Sequence, residues 1–362
     1  MRRVLGSIGQ ERPHARRARV AGMLRIRFRR WLPATLLALT FGTSGSMAAP
    51  SETEPLRWNV PAEQAECPAG DTAVWSRYRG GRDCIRYFAA GDLDSAPLAM
   101  IVFYGDRTSR ARRDPSMIPN NTVRAQRAYA ARLSTRFGLP VIIVARPGTY
   151  GSSGNHFHRR QAAEFLALNG ALDAIRKRHR IGRFVLVGQS GGATAAAALL
   201  TLGRTDISCA VLTSGAYALV ERAEFLRRQN GLPSRPGRDE TGLRNPYDPL
   251  AYVSGIAPDK NRLIIVIGSP EDRLTPFRFQ KEFADAVEAR GHRVRLTEHA
   301  APPPLHHVLT GVGLRTAAQC ATGGRGRGAT VETLSGRSQI VPSKAPRGPN
   351  GQIRNILSAT AL

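Results

Sequence analysis

The sequence predicts an α/β fold, with a mostly parallel central sheet covered by helices on both faces. Three observations predict it. Short runs at 98–103, 141–145, 184–187, 210–213, 263–267 and 294–296 are apolar throughout or nearly so, as strands buried on both faces are. Amphipathic periodicity separates them. One of the runs passes through a glycine-flanked serine straight into an alanine-rich segment, a strand-to-helix turn that serves chemistry rather than packing.

The chain has 362 residues, 42% of them hydrophobic, which is enough for a sizeable core. Its formal charge is +26. Residues 1–48 carry +9 of this, 321–362 carry +5, and the body between keeps +12. Lysines are only four of the 53 basic residues, and aromatics are 6%. No basic–aromatic run would make a stacking platform for single strands, so no nucleic-acid partner is expected.

Residues 25–49 read as a secretory signal. Arg25, Arg27, Arg29 and Arg30 precede an apolar run at 32–41, followed by small residues ending Ser46-Met47-Ala48-Ala49. The apolar run is too short to span a bilayer, so no stable membrane insertion is expected after cleavage. Met23 would begin a signal of ordinary proportions, and Arg29-Arg30 leaves a twin-arginine route open. In an exported chain four cysteines suggest two disulfides. Cys67 with Cys84 is the local choice, which leaves Cys209 with Cys320. A metal site is the rival reading, but no CxxC or HxxxH spacing supports it.

The organisation expected is therefore a signal at 1–48, an N-terminal excursion at 49–96 that resists assignment, a catalytic-type domain at 97–320, and a disordered tail at 321–362. Phe165, Leu168, Leu172 and Ile175 mark one helical stripe. Phe279, Phe283 and Val287 mark another, with Thr275 as expected N-cap and Pro276 in the first turn. Residues 216–261 exceed what one crossover helix needs, and read as a small cap insertion.

Gly188-Gln-Ser190-Gly-Gly192 lies between the apolar run and the alanine-rich helix. Flanking glycines relieve the clash of a sharp turn, and the amide of Gly191 falls at a helix N-terminus, where a developing oxyanion is stabilised. The segment resembles the nucleophile elbow of the α/β-hydrolase fold, whose triad runs Ser, acid, His. The resemblance spans about residues 97–320 and implies an exported serine hydrolase. Ser190 would be the nucleophile. Asp272, in Gly268-Ser-Pro-Glu-Asp272-Arg-Leu-Thr-Pro276, would be the acid, with Glu271 a nearby substitute. The base would be His307, with His306 the alternative and His299 less well placed. Oxyanion donors would be the amides of Gly191 and Asp106, with Arg107 next best. Tyr104 stands where the family often has histidine. His156 and His158 follow a loop resembling the family's R-P-G-x-x-x-S-x-G, and are expected to be solvated.

The resemblance implies hydrolysis of a small ester, or of a short peptide by a prolyl-oligopeptidase-like enzyme, and neither a cofactor nor a metal. A reading from another class is an inactive basic envelope protein that binds anionic polymers.

Overall fold

The computed structural model describes residues 51–68, 70 and 72–323. The expected signal segment lies outside the described residues, and so does the expected tail from 324 on, while the first tail residue, Ala321, ends a helix.

Eight strands form one sheet in the order β1-β2-β4-β3-β5-β6-β7-β8. They are β1 (Ala73–Tyr78), β2 (Gly81–Ala90), β3 (Leu98–Phe103), β4 (Val141–Val144), β5 (Arg183–Gln189), β6 (Ile207–Thr213), β7 (Leu263–Gly268) and β8 (Arg293–Glu298). From β4 to β8 every neighbouring pair is parallel. The N-terminal hairpin β1–β2 joins antiparallel to β4. The two hairpin strands were unassigned from sequence because β2 buries Asp83 and Arg86 within it, which breaks any apolar run.

Alternation along each strand sends residues to two cores. Ile101, Leu186, Leu212 and Val266 face one of them, with α2 (Ala162–His179), α3 (Gly191–Thr201) and α5 (Phe277–Glu288). Val102, Val187, Val211 and Ile267 face the other, with α1 (Val123–Phe137) and α6 (Thr310–Ala321). The sheet is thus covered on both faces, as period-two burial in parallel strands requires. All eleven residues of α3 are buried, and its small alanines let it lie close against the sheet.

Both stripes expected from sequence are buried, in α2 and α5. The cap of α5 differs from expectation. Pro276 holds the N-cap position without a side-chain bond, and the Thr275 side chain turns elsewhere. Residues 216–261 form α4 (Leu219–Gln229), a loop, and a 3-10 segment at Pro249–Gly255. Asp248 ties these together by accepting from the amides of Leu219 (2.6 Å) and Leu250 (3.1 Å).

Cys67 is bonded to Cys84 and Cys209 to Cys320, closing sequence separations of 17 and 111. Among the described residues no helix is long and apolar enough to cross a membrane.

Candidate active site

β5 ends in Gln189, and Ser190 follows at φ 56°, ψ −126°. A non-glycine residue there is strained, and the turn is held by the Ser190 amide donating to the Thr213 carbonyl at 2.8 Å. Gly191 opens α3, so its amide is one of the donors a helix leaves unpaired. A side chain at 191 would meet Asp106 Oδ1 at 2.0 Å. Across the turn, a Cβ on Gly105 would lie 3.2 Å from Ser190 Cβ. The segment after β3 therefore packs directly on the serine turn, with Gly105 against Ser190 and the Asp106 carboxylate against Gly191.

The loops after β7 and β8 bring two carboxylates to two histidines. His307 Nδ1 lies 2.8 Å from Asp272 Oδ2 and 3.1 Å from Oδ1. Asp272 also accepts from the amides of Leu274 and Thr275, both at 2.8 Å. The Thr275 hydroxyl is 2.8 Å from Asp272 Oδ2. With Nδ1–H given to the carboxylate, the neutral ring keeps its lone pair on Nε2. His306 Nδ1 lies 3.0 Å from both Glu271 Oε2 and the Ala301 carbonyl. The favoured acid and base thus meet each other, and so do their two substitutes. His299 is exposed and lies beside the Ala300 carbonyl.

Gln189 joins the elbow to the histidine loop. Its Nε2 donates to the His307 carbonyl at 2.9 Å, and its Oε1 accepts from the Leu309 amide at 2.9 Å. The Ser214 hydroxyl donates to the same His307 carbonyl at 2.7 Å. The His307 carbonyl is thereby held by two donors, and the Leu309 amide is fixed two residues on. The Ser190 hydroxyl has no hydrogen bond among the described residues, and such bonds commonly tighten only when substrate binds.

Behind the nucleophile lies a buried ion-pair cluster. Asp106 pairs with Arg146 (2.7 Å), Arg159 (3.0 Å) and Arg160 (2.6 Å). Arg146 also holds Glu164 at 2.6 Å. Burial pushes the Asp106 carboxyl up, but Arg160, Arg159 and Arg146 outweigh it and hold it well below the usual carboxylate range. Glu240, from the 216–261 insertion, pairs with Arg160 at 2.7 Å and with Arg222. Arg222 in turn donates to the Leu274 carbonyl in the acid loop at 2.7 Å. The cluster therefore fastens the insertion to the loops that carry Asp106 and Asp272.

Three expectations need correction. The Arg107 amide donates to His156 Nε2 at 3.0 Å, so its proton is already engaged and is not free for an oxyanion. His156 is buried rather than solvated, because its ring fills the space beneath that amide, whereas His158 is exposed. Burial, with Arg146 and Arg159 nearby, pushes the His156 pKa down to about 3 against the opposing pull of Asp106. Thr275 belongs to the acid turn and not to a helix cap, since two buried Asp272 oxygens demand donors. The Tyr104 hydroxyl donates to Gln126 Oε1 at 2.9 Å and its ring stacks on Tyr129, so it packs against α1.

Sequence reasoning missed Gln189, Thr275, Ser214 and the arginine cluster. Thr275 was within reach, three residues after the acid on a turn whose carboxylate needs donors. The others are joined only by the fold. Among the described residues no group of three His, Cys, Asp or Glu side chains is arranged to hold a metal ion.

No protein-family model and no curated protein sequence matches the chain. Among solved structures it is similar to the Pyrococcus furiosus esterase Pf2001, at 15% identity over 74% of this chain and 97% of that one, TM-score 0.48. It is similar also to Est1E from Butyrivibrio proteoclasticus, at 11% identity over 69% and 97%, TM-score 0.46. The acylaminoacyl peptidase of Pyrococcus horikoshii matches at 13% identity over 70% of this chain, TM-score 0.41, and this chain spans only 41% of its length. The architecture expected from the elbow is present in this chain's own sheet order, covered faces and strained serine turn.

Proposed function

We propose that the protein is an exported serine hydrolase that cleaves carboxylic esters through Ser190, His307 and Asp272. The observation that carries this reading is the convergence of three loops. A strained serine at a helix N-terminus is tied, through Gln189, to a histidine whose Nδ1 faces a buried, donor-saturated aspartate.

In the mechanism, Ser190 Oγ attacks the carbonyl carbon while His307 Nε2 takes its proton. Asp272 holds the ring in the right tautomer and stabilises the imidazolium. Charge on the carbonyl oxygen is met by the amides of Gly191 and Asp106. His307 then gives its proton to the departing alcohol, leaving an acyl-enzyme. Water, deprotonated by the same nitrogen, attacks the acyl carbon and the acid leaves as Ser190 Oγ recovers its proton. The cap formed by 216–261, fastened through Glu240 and Arg222, would bound the acyl site. Two disulfides support export, since such bonds persist in oxidising compartments.

The test is fluorophosphonate labelling of the purified protein, with a screen of ester chain lengths and dipeptide amides. Labelling lost in Ser190→Ala, together with ester turnover, is expected. Absence of labelling with tight, salt-sensitive polyanion binding would favour the inactive binding protein, and amide cleavage over ester cleavage would favour a peptidase.

A further inference from the structure

Seven arginines are buried among the described residues, and six of them hold a carboxylate. Arg146, Arg159 and Arg160 share Asp106, Arg204 holds Asp206, Arg222 holds Glu240 and Arg262 faces Asp259. Arg86 is the exception. It sits within β2 and is 6% exposed, its Nε is buried without a partner, and no carboxylate of the described residues pairs with it. Burial, with Arg127 nearby, lowers its pKa to about 10, so the guanidinium is still charged at neutral pH. An uncompensated buried charge is costly, which singles Arg86 out as a cation that lacks its anion.

The position of Arg86 is fixed. Its amide donates to Ser152 Oγ at 2.9 Å, and its carbonyl accepts from the Ala145 amide at 3.0 Å. Gly151, at φ 82°, lies against its stem, where a Cβ would stand 3.4 Å from Arg86 Cγ and 3.2 Å from Leu56 Cδ2. Arg86 lines a cavity of about 260 Å³, together with Leu56, Arg57, Glu54, Glu63 and Glu66. Arg57 and Glu66 pair with each other at 2.7 Å. Glu54 and Glu63 are exposed and in no ion pair among the described residues. The cavity thus has an unpaired cation in its wall and two unpaired carboxylates at its rim. A simple anion would be drawn to Arg86 and repelled at the rim. A molecule that carries both charges is favoured at both places, because a guanidinium takes a carboxylate through paired hydrogen bonds and an ammonium pairs with rim carboxylates.

We infer that this cavity is a binding site for a small zwitterion of the amino-acid type, its carboxylate on Arg86 and its ammonium on Glu54 and Glu63. None of Ser190, Asp272 and His307 lines it, and it is independent of the hydrolase reading. Glycine, 4-aminobutyrate and 6-aminohexanoate test the site over a range of charge spacings, each against its counterpart without the amino group (acetate, butyrate and hexanoate). Kd is read by ligand-observed NMR titration of the purified protein at neutral pH and constant ionic strength. At least one of the amino acids should bind about fivefold tighter than its counterpart. Arg86→Gln should weaken that binding by about tenfold or more, and Arg86→Lys should weaken it less. E54Q/E63Q, at exposed positions, should bring amino acid and counterpart to within about twofold of each other. Three results each overturn the site: no amino acid binding with Kd below about 50 mM, no preference over the counterpart, or binding unchanged in Arg86→Gln. If Arg86→Gln misfolds, E54Q/E63Q decides, since a preference retained there overturns the site and a preference lost supports it.

Discussion

Two histidine–carboxylate pairs stand one residue apart in both of the loops that form them. His307 faces Asp272 and His306 faces Glu271, with nearest contacts of 2.8 and 3.0 Å. Their chemistry is the same and their surroundings are not. The side chains of the inner pair are 5% and 0% exposed, whereas those of the outer pair are 22% and 71% exposed. Solvent screens the outer pair, and such contacts are worth about 0–1 kcal/mol. The inner carboxylate is fixed by two amides and a hydroxyl, and the inner histidine backbone by Gln189 and Ser214. Contact distance therefore says little about role. What separates the proposed catalytic pair from the surface pair is how many other groups fix its position.

The sharpest way to break the comparison is to remove each member in turn. His307→Ala should lower ester kcat by about three to four orders of magnitude, because members of a triad act as a unit. His306→Ala should change it less than about threefold. Asp272→Asn should resemble the first and Glu271→Gln the second. Steady-state kinetics on one chromogenic ester decides all four, and a loss confined to His306→Ala or Glu271→Gln would exchange the two pairs' roles.

A smaller effect is expected from the groups that fix the inner pair. Thr275→Val removes the hydroxyl near Asp272 Oδ2 while keeping the side-chain shape. A lost hydrogen bond to a charged group should lower kcat about tenfold, with Thr275→Ser recovering most of it. Gln189→Leu should act similarly by releasing the His307 and Leu309 backbone. An unchanged kcat in both would mean that burial alone distinguishes the pairs.

Sequence order revealed the parallel sheet, the elbow and the loops where partners of Ser190 should fall, because these are local patterns. It could not separate His306 from His307. Adjacent residues point apart, and which one points inward depends on His306 adopting φ 51°, a feature of the folded loop. The hairpin β1–β2 was illegible for a related reason. Asp83 is tolerable there only because Tyr78 and Ser153 donate to it at 2.6 Å each, and Ser153 comes from another part of the chain. The arginine cluster was hidden likewise, since composition displays a surplus of arginine but not which arginines face a carboxylate.

A third histidine extends the comparison, and its effect is on stability. Burial, reinforced by Arg146 and Arg159 beside it, lowers the pKa of His156 to about 3. The unfolded chain binds this proton with a pKa near 6.5. Between those values the unfolded state holds more protons than the folded one, so stability rises with pH and falls as pH drops. At pH 5 the penalty is about 2 kcal/mol relative to pH 7.5. Asp106, held well below the usual range, stays ionised in this window and adds no slope of its own. His156→Gln keeps an acceptor for the Arg107 amide and removes the titration. Its Tm should therefore fall less than that of the wild type between pH 7.5 and 5, by about 2–4 °C for each kcal/mol. Equal falls would mean that His156 takes up its proton in the folded state, and that burial beside the arginines does not keep it neutral.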